Sequence, residues 1–249
     1  MRSRINQIRT IPLLLVYLAA SSCGTSNLGR CPASNPLVAC TELTTDEKIR
    51  EALDDQDLAS AQVLLEAAIA DEPENYERYP LLAAVYAGLS GFDLLAIASS
   101  SASSGGSTSI VDSMDAFLPT PEGLTRAEYR AKIDLLGQAI STIGSLPAEF
   151  MATSATDKFA SSASQQLGLY QAAQASMYMK MFTTNFETGL PDPSQLADLT
   201  DADATAILAV LANAAASGGT FAAVAAATLA TINSGGGTDR DNLANFLST

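Results

Sequence analysis

The sequence predicts an all-α protein: antiparallel helical hairpins with a repeat-like start, packed on an alanine-rich helical body. Two observations carry that expectation. Alanine fills 44 of the 249 positions while aromatics supply 6%, a mixture suited to closely approaching helices rather than a β-rich core. From residue 44 onward, apolar residues recur mostly at three- and four-residue steps, the period of a helix that buries one face.

The first segment, 1–22, has the layout of an export signal. Arg2, Arg4 and Arg9 form a basic start, and Ile11 to Ala20 form an apolar run of ten residues. That run falls short of the roughly 18–20 residues a membrane-spanning helix needs. Ala19-Ala20-Ser21-Ser22-Cys23 resembles a bacterial lipobox, with one departure: Ala20 stands where such motifs usually carry Leu. The resemblance implies that Cys23 is acylated and becomes the first residue after cleavage. Gly24, rather than Asp, then implies sorting to the outer membrane if the source is Gram-negative. An ordinary cleavable signal followed by a coincidental cysteine is the alternative. Residues 23–43 read as lipid anchor and flexible tether, rich in Gly, Ser, Asn and Pro without a helical period.

Cys31 and Cys40 stand nine apart within this tether. Two further cysteines in an exported chain favour a disulfide, and so short a loop would constrain the unfolded chain by about 2–3 kcal/mol. A metal or redox pair is the alternative, and the sequence has no His to complete it. Cleavage after residue 22 would leave 10 basic against 27 acidic residues. An anionic lipid leaflet repels such a body, so acyl chains, each buried methylene contributing about 0.8 kcal/mol, would hold it to a membrane.

Residues 44–98 read as helical hairpins. Thr44 with Glu47 has capping-box spacing, followed by the stripe Ile49, Leu53, Leu58, Val63, Leu64 and Ile69, which Pro73 closes. A second pair carries Tyr79, Leu82, Val85, Tyr86 and Leu89, then Phe92, Leu94, Leu95 and Ile97. Residues 42–75 resemble a tetratricopeptide repeat in the spacing of Ala61, Ala68 and Pro73. In the next unit Tyr79 and Tyr86 match the repeat's aromatic positions. Thr45 and Ala52 depart from the pattern, as does the loss of register after Phe92. The resemblance implies a concave groove for a peptide or helix, with Tyr79, Tyr86 and Phe92 as candidates for its wall. Each of the three could equally be a core residue.

The Ser/Gly-rich run at 99–109 reads as a loop, and 110–249 as the alanine-rich body. Thr125 with Glu128 makes a second capping box, with Leu124 and Tyr129 placed for a hydrophobic staple. Ile133, Leu136, Ile140 and Ile143 follow at helical steps. A long helix is expected from about Asp157 to Phe182, with Phe159, Ala163, Leu167, Tyr170, Ala173, Met177 and Met181 along its core face. Its Met177, Met179 and Met181 suit either core packing or an adaptable groove. Between Ala204 and Thr238 there is no charge. Ser217-Gly218-Gly219 cuts that stretch into pieces too short to span a bilayer, so two buried helices are expected rather than a membrane hairpin. Thr200 with Asp203 and Thr238 with Asp241 would cap helices here.

Catalytic chemistry finds few candidates. Without His there is no Ser-His-Asp or Cys-His site and no imidazole-bound metal. Walker, GxGxxG and GxSxG patterns are absent. Of the acid clusters, Asp201-Ala202-Asp203 lacks the glycine and glutamate an EF-hand needs, and most of the acids fall at expected helix ends. A net charge of -14 argues against nucleic acid. The expectation is a non-catalytic, outer-membrane-anchored lipoprotein acting as a protein-binding or assembly scaffold, without metal or cofactor. In outline the chain is also similar to helical lipoproteins associated with TRAP transporters. That resemblance implies the alternative, a periplasmic solute-handling accessory with a small-molecule ligand.

Overall fold

A computed structural model describes residues 43–92, 117–217 and 222–248. Cys23, Cys31, Cys40, the 99–109 run and the expected second helix of the second hairpin lie outside the described residues. Within them the fold is helical, and the one β contact is an isolated bridge between Thr184 and Pro191.

Helix α1 (Thr45–Asp54) starts at the expected capping box: the Thr44 N–H donates to Glu47 Oε2 at 2.8 Å, and the Glu47 N–H to Thr44 Oγ1 at 3.3 Å. Gln56, in the left-handed region at φ 57°, turns the chain. Asp57 then caps α2 (Leu58–Asp71) by accepting from the Ser60 N–H at 3.1 Å. Ala61, Leu65 and Ala68 form the buried edge of α2. Helix α3 (Arg78–Leu89) runs antiparallel to it, because Arg78 reaches Ala68, Tyr86 reaches Glu66, and Gly88 lies against Leu58. A Cβ on Gly88 would come within 2.8 Å of Leu58 Cδ1, so glycine permits this close approach.

The second capping box starts α4 (Arg126–Gly144), and Tyr129 at its staple position is fully buried. Ile133, Leu136, Ala139 and Ile143 face the core; Ile140 is only half-buried. After a single turn, α5 (Ala148–Met151), the long helix α6 (Lys158–Thr183) begins, its cap Asp157 accepting from the Phe159 and Ala160 N–H groups. Helices α4 and α6 are antiparallel, as Arg126 over the Phe182 ring, Arg130 over Tyr178 and Gln174 against Ile133 demonstrate. Helix α6 is the central element, packed by α3, α4, α5 and α7 (Asp201–Ala216). Its Ala172, Ala173 and Ala175 are fully buried, and Met177, Met179 and Met181 are core residues.

A turn and a 3-10 helix (Pro193–Asp198) link α6 to α7 where no element was expected. The reason is local: Asp192 caps the turn through Ser194, and Pro193 supplies a fixed φ at its first position. Helix α7 begins at the Thr200–Asp203 capping box and buries Ala204, Ile207, Leu211 and Ala214. It packs on α8 (Ala222–Asn233), and both receive α9 (Asp239–Leu247), capped by Thr238. The Asn242 carboxamide secures the preceding glycine turn, accepting from the Gly237 N–H at 3.1 Å. Among the described residues no helix is long and apolar enough to cross a membrane.

Among the described residues a few buried polar groups are poorly served, Tyr170 among them. Tyr170 is fully buried edge-on to Phe92 at 6.1 Å, and among the described residues its hydroxyl has no hydrogen-bond partner. Burial raises the pKa of this hydroxyl strongly. Deleting an unsatisfied buried hydroxyl while keeping the ring removes a desolvation cost. Tyr170→Phe is therefore expected to stabilise the protein by about 1 kcal/mol in urea unfolding. A loss of stability instead would show that the hydroxyl is held.

Candidate functional site

The described residues enclose a cleft of about 500 Å³, lined by Arg126, Ala127, Arg130, Met181, Phe182, Asp198 and Asp203. Three pieces of chain build it. The first two turns of α4 supply the arginines, four residues apart and hence on one face. The end of α6 supplies the apolar floor, and the segment from the 3-10 helix into α7 supplies the carboxylates.

Every charge in the cleft has a partner. Arg126 meets Asp198 at 3.0 Å and donates to Gln195 Oε1 at 2.8 Å. Its guanidinium also lies over Phe182 and Phe186, 5.4 and 5.8 Å from the ring centroids. Arg130 meets Asp203 at 3.2 Å and lies over Tyr178 at 5.5 Å. Stacking of this kind favours Arg over Lys, because a planar, weakly hydrated cation rests on a ring face at small desolvation cost. The two guanidiniums and two carboxylates balance, so the arrangement first of all latches α4 to the segment 193–203.

Asp203 shows the balance of forces. Its partial burial pushes the carboxyl pKa up, but hydrogen bonds from Thr200 and Arg130 outweigh burial and hold it below its ordinary value. A carboxyl depressed in the folded state stabilises above its unfolded pKa, and that contribution is lost as pH falls through the folded one. Asn at this position still accepts from Thr200 but loses its attraction to Arg130 and to the helix dipole. Asp203→Asn is expected to cost about 1 kcal/mol at neutral pH. The difference from the parent protein should shrink in unfolding curves below about pH 4. A difference constant with pH would contradict the assignment.

Of the aromatics expected to wall a groove, two point inward. Phe92 is 3% exposed and packs on Tyr170. Tyr86 is buried, and its hydroxyl donates to Glu66 Oε1 at 2.6 Å. Burial, then the bond and charge of Glu66, push that hydroxyl up to about 12. Tyr79 is half-buried, donates to the Pro73 carbonyl at 3.0 Å, and lies edge-on to Tyr76. Tyr86 and Phe92 thus fill space inside the body instead of walling an open groove. Small residues such as Ala61 bring the helices close, and large rings occupy the gaps left beside them.

The cleft arginines escaped sequence reasoning. The Arg126 and Arg130 spacing is legible, but their acids, Asp198 and Asp203, lie 72 and 73 residues away, beyond any local pattern. Among the described residues no cluster of His, Cys, Asp and Glu could hold a metal ion. No thiol or hydroxyl in the cleft stands beside a base, so its lining supplies ion pairs and an apolar floor rather than a nucleophile. Compared with protein-family models, with curated proteins and with solved structures, the chain matches none of them.

Proposed function

We propose that the protein is an envelope lipoprotein, held to the outer membrane by acyl chains on Cys23, whose helical body serves as a protein-binding scaffold. The observation that carries this reading is the packing among the described helices of α1 on α2, α2 on α3 and α3 on α4. Serial packing leaves helix faces open to partners, the basis on which stacked helical repeats bind. The tetratricopeptide-like spacing at 42–75 supports the same architecture, with Ala61 and Ala68 buried as that spacing requires. The lipobox-like Ala19-Ala20-Ser21-Ser22-Cys23 supports the anchor, and Cys31 and Cys40 supply a disulfide staple in the tether. Fractionation tests the anchor: Cys23→Ala should move the protein from the membrane to the soluble fraction, and retention would reject acylation as the tether. Crosslinking in cells tests the scaffold, which requires recovery of a specific envelope protein complex.

One observation favours a second reading. The cleft at Arg126 and Arg130 has the volume and the apolar floor of a small-ligand site, as a periplasmic solute-handling accessory would need. A ligand there would raise the melting temperature of the purified body. Arg126→Ala would abolish that rise. No shift across a broad metabolite panel would remove this reading.

A further inference from the structure

Helix α2 is apolar around its circumference, with Glu66 and Asp71 as its only charged residues. Helices of that composition are normally covered on all sides. This one is not. Ala61, Leu65 and Ala68 are buried, while Ala59, Val63, Ala67 and Ala70 are exposed, Val63 to 65%. At 100° per residue these four fall within one sector opposite the buried edge. The outer side of α2 is therefore an apolar stripe bordered along one edge by exposed Glu66, which accepts from Gln62 Nε2 and the Tyr86 hydroxyl.

Acids surround it. Residues 44–77 carry eleven acids against Lys48 and Arg50, a net charge of -9, while the whole of 78–249 carries -8. Asp54, Asp55 and Asp57 stand exposed at the N-terminal end of α2, and Asp71, Glu72 and Glu74 at the other. Asp57 is committed to its cap and Glu72 to Arg78; Asp54 and Asp55 are not needed for either task. A second copy of this chain would bring the same negative field, and an anionic lipid surface would add to it. A basic partner gains on both counts.

We propose that the outer face of α2 is a docking surface for a basic amphipathic helix, its apolar stripe laid on Val63 and its cations on the acids at both ends of α2. This rests on the protein-binding reading and names the chemistry of the partner. The mode is helix against helix, with apolar anchors giving affinity and charge giving orientation and encounter rate.

The test uses the full chain carrying Cys23→Ala and two synthetic helices of about 18 residues. Both have Leu at helical spacing; one has Lys at the remaining positions and the other Glu. Fluorescence anisotropy should show binding of the Lys peptide alone, weakening as salt is raised. Val63→Glu should weaken it about tenfold although it adds negative charge, the effect of losing one apolar anchor. Leu190→Glu, at a residue 64% exposed on the turn after α6, should leave binding unchanged. Replacing Asp54 and Asp55 together by Lys should weaken binding as well. Equal binding of the Glu peptide, or no binding of either, overturns the proposal. So does indifference to Val63→Glu, which would reduce the effect to adsorption on an acidic surface. If native partners crosslink to the body while α2 stays untouched, this docking face fails and the scaffold reading survives.

Discussion

Replacing Ala173 by leucine is expected to destabilise the protein by about 3 kcal/mol. Ala173 sits on α6, the helix with neighbours on most sides, and is fully buried. Alanine-spaced helices stand close together, so three added carbons have no space, and either the helix must move or the rotamer must strain. Most cores fear the opposite change, the loss of volume. In this one, with Ala160, Ala163, Ala172 and Ala175 also fully buried along α6, added volume is the severe insult. The control is Ala209→Leu on the exposed side of α7, which should stay within about 0.5 kcal/mol of the parent. Urea unfolding followed by helical circular dichroism measures both. Equal effects at the two positions would mean that alanine is not the spacer between these helices.

Arg78→Met is expected to cost about 2–3 kcal/mol. The Arg78 side chain is 11% exposed and serves three acceptors: the Ala68 carbonyl at 2.8 Å, Glu72 at 2.9 Å and Asp46 at 3.0 Å. It thereby ties the start of α3 to the end of α2 and the start of α1. Methionine fills the volume but removes the second donor of the Ala68 carbonyl, near the end of α2, leaving it only the Glu72 N–H at 3.0 Å. Asp46 and Glu72 are mostly exposed and can rehydrate, which keeps the cost below that of a fully buried pair. Arg78→Lys should recover less than half of the loss, because a single ammonium cannot reproduce a fork that reaches separated acceptors. Full recovery by lysine, in the same unfolding measurement, would show that charge alone matters at this site.

The parts of the fold legible in the sequence are those decided within about four residues. Thr44 with Glu47, Thr125 with Glu128, Thr200 with Asp203 and Thr238 with Asp241 each cap the helix expected to follow. The long helix, expected from about 157 to 182, runs from Lys158 to Thr183. Capping and periodicity are local physics, in which donor, acceptor and apolar stripe lie on one short stretch of chain. The turn at 185–190 and the 3-10 helix at 193 are also local, set by the Asn185 carboxamide and by Asp192-Pro193-Ser194, but they have no apolar period to announce them.

What tertiary structure alone decided is which faces remain open and which distant charges meet. Composition and spacing determined that the chain makes helices, where most of them begin, and that small residues would let them approach. They could not reveal that Tyr86 and Phe92 turn inward, that Arg126 finds Asp198, or that Val63 is left outside while Leu65 is fully buried. An apolar residue on a helix is equally suited to any apolar neighbour, and an arginine to any of 27 acids. Those choices are made by the order in which helices stack, because only the assembled neighbours determine which side of an apolar helix is covered.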